Sequence, residues 1–80
     1  MKTPTANDAL PIVRARALQE TGSRFPGAAS LHAAAVALWD DEWNAYQTLV
    51  SLPGLRSAAE CAYQRRTAAS ALTKILVTAL

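Results

Sequence analysis

The side chains with which this 80-residue chain would have to build a reaction or a metal site are one histidine, His32, one cysteine, Cys61, and the acidic run Asp40-Asp41-Glu42. A nucleophile needs a base to activate it and a structural metal needs three or four converging donors. His32 and Cys61 are too few for the second, and no basic group is placed by spacing beside the thiol for the first. Three consecutive acids in a helix point in three directions and cannot converge on one cation. The residues therefore predict no catalytic, cofactor or metal chemistry. Cys61 reads as a structural thiol on an apolar helix flank, and His32 as a ring at the edge of a core or interface.

The side chains best suited to recognition are aromatic. Trp39, Trp43 and Tyr46 recur at steps of four and three, with His32, Val36 and Val50 on the same line, so a helix gathers them into one stripe. Amphipathic aromatics supply large contact area at low entropic cost, and Trp and Tyr dominate binding energies at protein interfaces. Two placements are open for the stripe: beneath another helix of the same chain, or in an interface with a partner. The cations offer less. Arg56 and Lys74 share a helix face but lie five turns apart, and Arg65 and Arg66 point elsewhere, so no phosphate-tracking stripe is evident.

Three helices position these residues. A lead of residues 1–7 is expected to be flexible, with a first helix over 8–21 starting near Asn7 or Asp8, tolerating Pro11 in its early turns and stopping at Gly22. Its modest stripe holds Leu10, Val13 and Ala17, with Leu18 nearby. Ser23 to Gly27 reads as a linker. A second helix over 27–52 draws on the alanine run Ala33-Ala34-Ala35 and ends at Pro53, and a third over 55–79 contains neither proline nor glycine. The fold class is all-α: an antiparallel helical hairpin of two long helices plus a shorter N-terminal helix, in a single small domain.

A two-residue break at Pro53-Gly54 sets residue i of the second helix opposite a residue near 107 − i of the third. Leu31 then faces Leu76, Ala35 faces Leu72, Leu38 faces Ala69, Ala45 faces Ala62, Leu49 faces Ala58 and Leu52 faces Leu55, mostly large against small. The same rule brings Glu42 opposite Arg65 within otherwise apolar arcs. A slip would leave both charges buried and unpaired, so the pair is expected to form and to specify register. The charge split agrees: residues 28–54 carry three acids and no base, whereas residues 55–80 carry four bases and one acid.

On each long helix the apolar arc spans roughly 200°, about twice what one neighbouring helix covers. Eighty residues bury only about 60 to 65% of the unfolded chain's surface, and a lone cysteine provides no internal disulfide. The excess points to contact with a protein partner, including a second copy of the chain. Val36, Trp39, Trp43, Tyr46 and Val50 are the candidate anchors, and Leu10, Val13 and Leu18 a cover or second contact. Without an apolar signal core or a run long enough to span a bilayer, a cytoplasmic location and no membrane partner are expected.

The proline-containing lead segment Leu10-Pro11-Ile12-Val13, the two-helix body and the closing run Ser70-Ala71-Leu72-Thr73-Lys74-Ile75-Leu76-Val77 resemble the small helical quorum-sensing antiactivators of rhizobial conjugative elements, of the TraM and QseM kind. That resemblance implies a non-enzymatic protein that binds a LuxR-type or related transcription activator, keeps it from DNA and so represses conjugative transfer of a mobile element. It transfers no residue roles. Two alternatives share the same residues: another small helical inhibitor, such as a phage-encoded blocker of a host protein, and a small DNA-binding regulator.

Overall fold

The computed structural model describes residues 5–80 and contains three helices, α1 (Ala6–Thr21), α2 (Ala28–Val50) and α3 (Arg56–Val77), with no strand among the described residues. The chain is all-α, and its most extensive contact is between α2 and α3, the two arms of a helical hairpin. The molecule measures 40 × 22 × 20 Å.

Each helix boundary follows from local chemistry. α1 starts earlier than the acidic side chains predict, because Thr5 is the N-cap. Asp8 N donates to Thr5 Oγ1 at 3.3 Å while Thr5 N donates to Asp8 Oδ2 at 3.0 Å, a reciprocal capping box that satisfies two first-turn donors. Thr5 to Asn7 are therefore cap and first turn rather than part of a flexible lead; residues 1–4 of that expected lead lie outside the described residues. Pro11 consequently falls at the sixth helical position, two residues deeper than expected. Its ring removes a single intrahelical bond on an exposed face. Gly22 closes α1 in the left-handed region at φ 66°, donating its N–H to Gln19 O at 3.1 Å.

α2 stops at Val50, before Pro53. Proline removes an N–H and disfavours helical geometry at Leu52. Leu52 N instead reaches Leu49 O at 3.2 Å, and Ser51 Oγ donates to Thr48 O at 2.8 Å. Gly54 turns the chain at φ 80°. Five residues thus separate the arms instead of two, and Leu52 and Leu55 are exposed loop residues rather than a facing core pair.

Among the described residues, seven of the ten buried apolar ones are alanines, and the only large side chain that is wholly enclosed is Val13. Small residues let helix backbones approach closely, but they bury little area each. Ala35 and Leu38 of α2 meet Ala68, Ala69 and Leu72 of α3, and Ala9, Val13 and Ala17 of α1 close over them. The opposed register holds for this middle stretch. It does not extend to the turn, where Ala59 is buried and Ala58 exposed and five residues rather than two join the arms.

Candidate interaction face

Stepping 100° per residue along α2, Ala34 and Leu38 lie to one side of Ala35, whereas Trp39, Trp43 and Tyr46 lie to the other. α1 packs on the Ala34 and Leu38 side, against Ala68 and Leu72 of α3. Trp39, at the edge of the aromatic stripe, also packs against this core, whereas Trp43 and Tyr46 do not belong to it; the stripe runs along the other flank of the hairpin.

On that flank the aromatic rings hold one another across the two arms. Trp43 and Tyr46 stack with centroids 5.5 Å apart at 23°, and Tyr46 meets the edge of Tyr63 from α3 at 5.4 Å and 61°. Arg66, one turn along α3 from Tyr63, lays its guanidinium 4.4 Å from the Trp43 ring centroid and 6.0 Å from that of Trp39. Arg66 Nε is enclosed and finds no acceptor among the described residues, consistent with a donor turned to an indole face. Such pairs contribute about 0.5 to 1.5 kcal/mol each, so they preorganise the face without sealing it. Trp43 is 37% exposed and Tyr63 41%. Beyond Tyr46 the face continues into a hollow of about 370 Å³ near the turn, bounded by Val50, Leu52, Arg56, Ala59 and Glu60.

The candidate anchors therefore divide. Trp39, Tyr46 and Val36 are half-buried, and Trp43 and Val50 are exposed, all on one flank. Val13, read from the sequence as a contact residue as well as a cover, is 2% exposed and is core; it offers no surface to a partner because α1 turns it inward between the arms. Leu10 and Leu18 line a separate cleft where the three helices meet. Tyr63 and Arg66 were not marked by the sequence reading. The signal for them was their spacing of three, which puts both on the side of α3 that faces the aromatic stripe.

Glu42 is the one buried charged residue among those described, at 4% exposure. Its Oε1 accepts from Arg65 Nε at 3.0 Å and from Arg16 Nη1 of α1 at 3.2 Å. One carboxylate thus ties all three helices together. Arg65 was expected; Arg16 was not, since the angle of α1 is invisible to helical periodicity. With Arg65 engaged at Glu42 and Arg66 on indole, two of the four α3 cations are committed within the fold. Arg56 and Lys74 remain about 27 Å apart, a poor track for a phosphate backbone.

His32 and Cys61 are half-buried on different helices. Among the described residues no three His, Cys, Asp or Glu side chains gather within reach of one ion, and no helix is long and apolar enough to cross a membrane. No family profile, curated protein or solved structure matches the chain.

Proposed function

We propose that this chain is a non-enzymatic protein-binding module that captures its partner on the aromatic flank of the α2–α3 hairpin. Following the resemblance of the lead segment and closing helix, the partner is a transcription activator of the LuxR type or a related quorum-sensing regulator, and capture withholds it from DNA and so lowers conjugative transfer. Binding to one state of the activator shifts its population away from promoters by mass action. Trp39, Trp43, Tyr46, Val36 and Val50 are the anchors, with Tyr63 and Arg66 completing the face.

The observation that carries the reading is surface left over after folding. The chain exposes 5446 Å², against about 4,650 Å² for a compact monomer of this mass. That surplus is spread over the whole elongated molecule, and its aromatic part is the flank where Trp43 is 37% and Tyr63 41% exposed. The test is affinity capture from the native host with wild-type and Trp43→Ala baits, followed by a promoter reporter for the protein recovered. The proposal expects a DNA-binding activator held by the wild type, depleted with the variant, and silenced on co-expression. Recovery of an unrelated class of protein, or equal recovery by both baits, refutes it.

A further inference from the structure

A second surface lies on the opposite side of the molecule from the aromatic flank. α1 does not close fully against the open end of the hairpin, and a cleft of about 620 Å³ remains there, within the range of small-molecule sites. Its walls come from all three helices: Leu10 and Leu18 of α1, Leu31 of α2, and Leu72, Ile75 and Leu76 of α3. From Leu10 to Leu18 it follows α1 for about 12 Å. The single charged side chain on the lining is Arg14, midway along that stretch, and among the described residues no carboxylate pairs with it.

These features define an occupant. An elongated apolar trough accepts an unbranched apolar chain, and one unpaired guanidinium at its rim accepts one anionic group. A second copy of the chain is a poor fit for this surface, because each copy would bring its own Arg14 and no acid lines the trough to meet it. We infer that this cleft binds a medium-chain fatty carboxylate, with the carboxylate on Arg14 at the rim and the alkyl chain running from it across the apolar walls of Leu31, Leu72, Ile75 and Leu76. The site is separate from the aromatic face and does not rest on the function proposed for that face.

Titration of the full chain with sodium decanoate below its micelle concentration, followed by calorimetry and amide NMR, tests this directly. The inference expects one saturable site, with shifts at Leu10, Arg14, Leu18, Leu31 and Ile75 and little change at Trp39 or Trp43. Ala15→Trp, which fills the trough from an exposed lining position, should abolish binding while thermal unfolding stays cooperative. Arg14→Ala should weaken decanoate binding roughly two- to fivefold, the worth of an exposed charge pair, and leave the weaker binding of 1-octanol unchanged. Absence of saturation, binding with several equivalents, shifts centred on the aromatic flank, or binding untouched by Ala15→Trp would each overturn the site. Equal affinity of wild type and Arg14→Ala for decanoate would overturn the recognition of the anion.

Discussion

Glu42 shows what one side chain can specify. It is buried, and its Oε1 is shared by an arginine from each of the other two helices. Because either arginine alone still compensates the carboxylate, and each reaches solvent when released, Arg16→Ala or Arg65→Ala should cost on the order of 1 kcal/mol. Removing both strands a buried charge, at about 3 to 5 kcal/mol. A double-mutant cycle by chemical denaturation should therefore show a loss greater than the sum of the singles; additive losses would mean that the carboxylate is solvated. At the other end of the chain, the backbone hydrogen bond from Thr5, and then that from its hydroxyl, hold the Asp8 carboxyl below its ordinary range. A lowered folded-state value means that the unfolded chain binds the proton more readily, so this contribution is present above about pH 4 and lost as pH falls through the lower folded-state value. Asp8→Asn should flatten that part of the stability profile, read as melting temperature against pH.

Among the elements, the alanine seam between α2 and α3 sets the spacing of the hairpin. Ala69 is fully enclosed opposite Leu38, so Ala69→Leu should overpack the seam and destabilise by about 1 to 3 kcal/mol, measured by thermal or denaturant unfolding; a neutral result would mean that the arms can part freely. This seam was legible in the sequence, because large residues on one arm align with small ones on the other at a fixed sum of positions. So was the meeting of Glu42 with Arg65, which follows from the same sum. The ends of the elements were less legible. Thr5 outcompeted Asn7 and Asp8 as cap because Asp8 is more useful three residues inside the helix, and Pro53 acted on the residues before it rather than only at its own position. The side on which α1 lies could not be read at all. Its stripe of Leu10, Val13, Ala17 and Leu18 is compatible with either flank of the hairpin, and the choice depends on Arg16 reaching Glu42 and on Val13 fitting between Ala-rich walls.

That choice decides what the whole molecule presents. With α1 on one flank, the hairpin keeps Trp39, Trp43, Tyr46, Tyr63 and Arg66 together on the other, in a cluster that is organised before any partner arrives. A preformed face loses less conformational entropy on binding than one that must assemble, which suits the capture proposed for it. Of the charges split between an acidic α2 and a basic α3, only Glu42 and Arg65 pair across the arms, and Arg66 is turned to the rings of the aromatic face. Recognition on this account therefore depends chiefly on rings and shape, and should respond only weakly to salt, unlike phosphate-directed binding. The most direct test is calorimetric titration of the partner recovered by affinity capture with wild type and Trp43→Ala, with thermal unfolding of both chains measured alongside. The account predicts an affinity loss of about 2 kcal/mol or more with a smaller change in folding stability. Unchanged affinity together with a large drop in stability would make Trp43 part of the core and contradict the docking face.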